Sequence, residues 1–227
     1  MSIGETIRSL NAALPEGVKL VAVSKNHPVD AIREAYAAGQ RIFGESRAQE
    51  LAAKRKALPD DIEWHFIGPL QSNKVKEIAP YVSMIHSIAS PKLLRETEKQ
   101  AARHARTLRV LLEIKLAAED TKQGMTPDEC RALVASLAPG ELPHVRIAGL
   151  MTIATHTDDE SCVRAEFQQL KALFDELKAS GFAHSEDFRE LSMGMSDDYP
   201  LAIEEGSTLV RIGTRIFGQR DYSQSQG

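Results

Sequence analysis

Lys25 carries the clearest chemical potential in this chain. It closes the run Lys19-Leu20-Val21-Ala22-Val23-Ser24-Lys25, which reads as a buried strand, and Asn26-His27-Pro28 breaks the pattern directly after it. An ammonium at the C-terminal end of an apolar strand is costly unless something uses it. Burial lowers the pKa of a lysine and frees its amine for Schiff-base chemistry with a carbonyl. Far along the chain stand Ser192-Met193-Gly194-Met195-Ser196 and Arg211-Ile212-Gly213-Thr214. Their hydroxyls, glycines and backbone N–H groups suit a phosphate.

These groups need a scaffold that brings the two ends of the chain together. Short apolar runs rich in Val, Ile, Leu and Phe mark strands at Leu20 to Ser24, Arg41 to Gly44, Trp64 to Ile67, Met84 to Ile88, Arg109 to Leu116, Ile147 to Ile153, Glu190 to Ser192 and Leu209 to Gly213. Between them lie amphipathic stretches: Asp30 to Ala38, Pro91 to Ala105, Pro127 to Leu137 and Asp159 to Ser180. The last repeats apolar residues at three and four, as in Phe167, Leu170, Phe174 and Leu177. Asp30, Ser90 and Thr126 suit N-caps; Gly39 and Gly181 suit helix stops. Strand–helix alternation implies parallel pairing with right-handed crossovers. The expected fold is an α/β (β/α)8 TIM barrel, a single domain over residues 1–222 with an extra N-terminal helix from Ser2 to Leu14 and a loose tail over 223–227. Rossmann and flavodoxin-like folds are the rivals, but the Gly-x-Gly-x-x-Gly fingerprint after the first strand is absent.

In a barrel the C-terminal strand ends carry the chemistry, and the last two loops commonly hold phosphate. Lys25, the Gly44-Glu45-Ser46 segment, His86-Ser87, Thr152, Ser192 to Ser196 and Arg211 to Thr214 all fall on that rim. Closure sets strand eight beside strand one, which makes Lys25 and Arg211 neighbours. An aldehyde-reactive amine facing a phosphate cradle points to pyridoxal 5'-phosphate. Ser192 and Thr214 would donate hydroxyls, and backbone N–H groups around Met193 and Gly213 would complete the cradle. Arg211 near the ring nitrogen would disfavour its protonation and weaken the ring as an electron sink. Each residue also has a plain reading. A strand-end lysine often snorkels, glycines make ordinary turns, His65 and His86 suit packing better than metal ligation, Trp64 suits the core, and Asp197-Asp198 suits a helix start.

Composition narrows the functional classes. The chain has 227 residues and a net charge of −4, with no long basic block, so nucleic acid is not an expected partner. No apolar run approaches the roughly 20 residues of a membrane span, and Met1 to Thr6 lacks the layout of a signal peptide. Cys130 and Cys162 lie far apart without a partner motif, which suits reduced thiols and a cytoplasmic setting. No exposed apolar stripe demands a second copy, so a monomer is expected.

The segments Val23-Ser24-Lys25, Phe43-Gly44-Glu45, Trp64 to Lys74, Ile85-His86-Ser87, Gly149 to Ile153, Leu191 to Asp198, Arg211 to Thr214 and Ile216-Phe217-Gly218 occur in order. Together they resemble the pyridoxal phosphate homeostasis proteins, whose barrel is similar to the N-terminal domain of alanine racemase. The resemblance spans essentially the whole chain. It implies a Schiff base on Lys25, phosphate contacts from Ser192, Gly213 and Thr214, and Arg211 at the ring nitrogen. It also implies cytoplasmic vitamin B6 handling without established turnover, with apo forms of pyridoxal-phosphate enzymes as partners. Ser46 stands where the family usually has asparagine, a polar contact near the ring. Ala89 stands where aspartate is common, and Glu113-Ile114-Lys115 replaces a more neutral stretch. The alternative is a racemase-like enzyme, which needs a second base on the opposite face of the ring. In the resembling racemases that base is a tyrosine from a further C-terminal β domain, for which this chain leaves no room; Tyr199 and Tyr222 are the nearest candidates in sequence. A third reading, an interaction protein without cofactor, leaves Lys25 unexplained.

Overall fold

The computed structural model describes residues 1–117, 119 and 122–219. The elements run α1 (Ile3–Ala13), β1 (Lys19–Val23), α2 (Val29–Ala37), β2 (Ile42–Glu45), α3 (Ala48–Ala57), β3 (Glu63–Phe66), α4 (Val75–Ile78), β4 (Met84–Ile88), α5 (Pro91–Arg103), β5 (Leu108–Glu113), α6 (Pro127–Ser136), β6 (Val145–Met151), α7 (Glu160–Ser180), β7 (Glu190–Ser192), α8 (Tyr199–Glu204), β8 (Leu209–Ile212) and α9 (Thr214–Phe217). A single 3-10 turn, Ser72–Lys74, precedes α4. The eight strands close into one parallel barrel in sequence order, with β8 hydrogen-bonded to β1. This is the expected (β/α)8 fold with its extra leading helix, as one domain. The expected tail, 223–227, lies outside the described residues.

Local chemistry explains the boundaries. Ser2 and Thr126 each form a capping box, with Glu5 and Glu129 respectively, and Ser90 caps α5 ahead of Pro91. Asp30 is not the cap of α2. The helix starts one residue earlier, after Pro28, and Asp30 pairs with Arg33 in the first turn. Asp159 caps α7 through Ser161 and Cys162. β5 stops at Glu113 rather than Leu116, and Ile114 makes a lone bridge to Met125 instead. The helix α3 escapes the periodicity argument because its buried face is Ala48, Leu51 and Lys54, an apolar stripe interrupted by a lysine.

The apolar interior is split in two. Val21, Met84, Leu111, Ala148, Met151 and Leu209 form an inner set along the barrel axis. Their sequence neighbours Leu20, Ala22, Ile85, Val110, Leu112, Leu150 and Val210 belong to the larger layer between strands and helices. The alternation of a pleated strand makes this division. At the N-terminal end the barrel closes on buried Glu190, which accepts from Lys19 (3.0 Å), Arg109 (2.9 Å) and Thr208 (2.9 Å). Burial raises its pKa, yet the two cations hold the carboxyl below its ordinary range. These bonds tie the start of β7 to β1, to β5 and to the segment before β8.

Candidate functional site

Lys25 does not end β1. The strand stops at Val23, and Lys25 is the second residue of a β-turn closed by His27 N–H on the Ser24 carbonyl (3.1 Å). It is half-buried. Asn26 has φ +62°, the left-handed third position that a type II turn requires and that asparagine tolerates. His27 stacks on Phe217 of α9 with ring centroids 5.1 Å apart. The turn after β1 is thereby joined to the segment after β8, as barrel closure predicts.

The register between these strands corrects one expectation. Arg211 lies level with Val21, below the turn that carries Lys25. Strand adjacency holds, but Arg211 belongs to the barrel interior. It is 4% exposed; its Nη1 donates to Ser192 Oγ (2.6 Å) and its Nη2 to the Thr152 carbonyl (2.8 Å). Burial lowers its pKa to about 10, against the pull of Asp198 and Glu113, so the guanidinium remains charged at neutral pH.

Ser192 also meets His86, whose Nδ1 lies 3.0 Å from its Oγ, and His86 Nε2 lies 2.9 Å from His65 Nδ1. Both rings are buried and neutral. Burial pushes His65 down to about 3 and His86 well below its ordinary value, with the neighbouring cations adding to the effect. Two proton arrangements satisfy this line. In one, Ser192 donates to His86 and His86 donates to His65. In the other, His65 donates to His86 and His86 donates to Ser192, which leaves the Ser192 hydroxyl hydrogen free for an anion above it. Thr152 extends the line across the barrel by donating to the Ile114 carbonyl (2.8 Å). Among the described residues no group of three or more His, Cys, Asp or Glu side chains is placed to hold a metal ion.

The loops after β7 and β8 meet as expected, though not through every residue expected. Met193 turns its side chain into the main core, fully buried, and its carbonyl accepts from Ser207 (2.7 Å). Only its backbone can serve a ligand. Gly194 has φ +91°, and a Cβ there would stand 2.6 Å from that of Ala202. Its carbonyl accepts from Arg211 N–H (2.9 Å). Gly213 N–H meets Ser196 Oγ at 3.3 Å. A Cβ on Gly213 would stand 3.1 Å from the Val23 carbonyl oxygen, a tight contact that glycine avoids where the chain leaves β8 beside the end of β1. Thr214 is exposed and opens α9. Asp198 stands at the N-cap of α8, where the sequence pattern puts a helix start, but makes no side-chain cap bond; its carboxylate accepts from Met195 N–H (2.5 Å) and shapes the same loop. Ser196, whose Oγ accepts from Gly213 N–H, stands on the rim in the sequence reading without an assigned role.

Ser46 follows β2, half-buried, packed where a Cβ on Gly68 would come within 2.5 Å of its own. Glu113, noted in the sequence only as a departure, is buried at the end of β5 with its Oε2 lacking a hydrogen-bond partner. Burial raises its pKa to about 7, opposed by Arg211. A cavity of ≈ 680 Å³ opens between the loops after β6 and β7; Lys122, His156, Arg164, Met195 and Asp198 are among its lining. The rim thus combines a lysine turn, uncharged hydroxyl and amide donors, and one buried cation. That donor set fits an anionic, aldehyde-bearing aromatic molecule.

Known proteins resemble this chain in sequence and fold. The sequence profile of the alanine racemase N-terminal domain matches residues 2–221. The pyridoxal phosphate homeostasis protein of Aquifex aeolicus is 43% identical over 205 residues, 90% of this chain and 88% of the relative. That of Escherichia coli is 40% identical over 214 residues, 92% and 89% of the two chains. PipY of Synechococcus elongatus, solved with PLP bound, aligns with a TM-score of 0.88 at 42% identity, over 96% of this chain and 100% of that one. Alanine racemase from Streptomyces coelicolor shares the fold, with a TM-score of 0.77 at 22% identity, and this chain spans 57% of it. The profile, the identities and the closed barrel agree: the chain belongs to the pyridoxal phosphate homeostasis protein family, whose barrel is the alanine racemase N-terminal domain.

Proposed function

We propose that this protein binds pyridoxal 5'-phosphate through a Schiff base on Lys25 and serves intracellular vitamin B6 homeostasis, holding the cofactor and releasing it to apo forms of pyridoxal-phosphate enzymes. The observation that carries this reading is the near-complete match to a relative solved with PLP bound, joined to a rim that offers a lysine turn opposite hydroxyl and amide donors. The cofactor supplies an aldehyde and an electron-accepting ring. The neutral amine of Lys25 forms the C–N bond to the aldehyde carbon; the aldehyde oxygen leaves as water, taking both amine hydrogens.

Ser192, Thr214 and backbone N–H groups around Met193 and Gly213 hold the phosphate, and Arg211 faces the ring nitrogen. A guanidinium there keeps that nitrogen unprotonated, which suits storage better than carbanion chemistry. Ser46 contacts the ring edge. The protein acts as a cytoplasmic monomer; among the described residues the only large exposed apolar side chains are Met1 and Met195, and no helix there is long and apolar enough to cross a membrane. Catalytic turnover is absent or trivial. Tyr36 and Tyr81 lie at or beyond helix ends that lead into strands, the end of the barrel opposite Lys25. Tyr199 opens α8 beside Arg215, whose guanidinium lies 5.5 Å from its ring, and Tyr222 is outside the described residues.

Borohydride reduction of the loaded protein followed by peptide mass mapping tests the assignment. The pyridoxyl group is expected on Lys25. A label found only on Lys74 or Lys122 overturns it.

A further inference from the structure

The two residues that flank Lys25 are gripped by a buried charge cluster that plays no part in the proposed binding scheme. Lys54 of α3 is 6% exposed, and its ammonium donates to the Ser24 carbonyl (2.7 Å), to Glu45 Oε1 (2.8 Å) and to Glu50 Oε1 (2.6 Å). Glu45 Oε1 also accepts from the Ser24 hydroxyl (2.5 Å), and Glu50 Oε1 accepts from the Asn26 backbone N–H (2.6 Å). Ser24 and Glu45 are fully buried. Gly44 directs its missing side chain toward Val21 and Ile67, inside the barrel, so the next residue, Glu45, faces outward beneath α3. The cluster therefore lies outside the barrel wall, behind the Lys25 turn.

Its connections are specific to that turn. The Ser24 carbonyl that accepts from Lys54 is the one that closes the β-turn with His27. The Asn26 N–H that Glu50 accepts belongs to the turn residue with φ +62°. One ammonium and two carboxylates thus tie down the backbone immediately before and immediately after Lys25. Burying an ion pair is a poor route to stability, because apolar residues of similar volume commonly match it. What such a network supplies is geometry, since Lys54 Nζ, Glu45 Oε1 and Glu50 Oε1 each meet two or more partners in one arrangement, although Glu45 Oε2 meets none.

We infer that Glu45, Glu50 and Lys54 are positioning residues for Lys25, acting through the backbone of Ser24 and Asn26 to hold its amine where it condenses with the cofactor aldehyde. This rests on the proposed Schiff base, and the test separates the two. The probes are pyridoxal 5'-phosphate, followed by its Schiff-base absorbance, and pyridoxine 5'-phosphate, which keeps the ring and phosphate but has no aldehyde. Lys54→Met and Glu50→Ala should each weaken pyridoxal phosphate binding about tenfold or more, while pyridoxine phosphate binding stays within about twofold of the unaltered protein. Glu50→Gln, which retains an oxygen for Asn26, should recover part of the loss. Equal losses for both ligands, or no loss for either, overturn the inference. Glu50 is only half-buried, so its variants decide the matter if Lys54→Met does not fold. An unaltered protein that shows no Schiff-base absorbance but still binds pyridoxine phosphate instead defeats the functional proposal itself.

Discussion

Two polar regions lie beneath the same rim and solve burial in opposite ways. Behind the first two strands, the Lys54 ammonium is met by Glu45 and Glu50 around a tight backbone turn, while burial raises the Glu45 carboxyl to about 7 and leaves its Oε2 without a hydrogen-bond partner. Inside the barrel, His65 and His86 lose their charge altogether, and a line of neutral hydrogen bonds runs through Ser192 to a single cation, Arg211. The ionic cluster has one arrangement and therefore fixes geometry. The neutral line has two proton arrangements and can offer or withhold the Ser192 hydroxyl without moving a heavy atom. In the proposed binding scheme, Lys25 would be presented by the first region and the phosphate would take its Ser192 donor from the second.

The largest test of the contrast is Lys54→Ala. It leaves the buried Glu45 and the half-buried Glu50 without their cation and should cost about 3–5 kcal/mol of stability, measured by urea unfolding. A loss below about 1 kcal/mol would mean that the cluster is looser than its distances indicate.

The next test uses pH, because the histidines and the carboxylates titrate with opposite sign. The His65 pKa is depressed to about 3, so its contribution is present above about 6.5 and is lost as pH falls toward 3. At pH 5 that loss is of order 2 kcal/mol, and His65→Gln should flatten the acid limb. Glu113 is raised to about 7 by burial. Its contribution is present below about 4.5 and is lost as pH rises to 7. Glu113→Gln should therefore stabilise the protein at pH 8 by of order 2 kcal/mol and change little at pH 4.5. Thermal unfolding across this range reads both; a variant whose effect is independent of pH would break the assignment of charge states.

A smaller effect is expected at the phosphate loop. Thr214→Val should weaken pyridoxal phosphate binding about tenfold, near 1.4 kcal/mol, while leaving pyridoxal binding almost unchanged. Equal losses would remove Thr214 from the cradle. The smallest concerns Ser46. Serine provides one hydroxyl where asparagine provides both an amide donor and a carbonyl acceptor, so Ser46→Asn should tighten binding by about 1 kcal/mol. Because Ser46 packs on Gly68, weaker binding would show that the added bulk, rather than the lost polar contact, governs this position.

Much of the scaffold was legible residue by residue. Strand positions agree to within one or two residues, β5 apart, because each run is bounded by turn residues and because the period changes from helix to strand. Ser90 and Thr126 announce their helices through cap chemistry. The helix α3 was illegible for the reason that makes it interesting: Lys54 occupies a core position, and apolar periodicity has no symbol for a lysine whose charge is met by partners from β2 and the turn after β1. For Met193 the sequence pointed to its backbone N–H alone, and the burial of its side chain in the core was set by packing.

By itself, the sequence determined which residues reach the C-terminal rim: Lys25, Ser46, Ser192, Gly213 and Thr214 each end or follow a strand, and strand ends are local facts of pattern and turn chemistry. Tertiary structure alone decided which of them meet. The alignment of Arg211 with Val21 rather than Lys25, the contact of His86 with Ser192 three strands away, and the closing of Lys54 over Ser24 and Glu45 all depend on inter-strand register and on how α3 docks. Register is set by the stagger that closes the whole barrel, so no single segment encodes it.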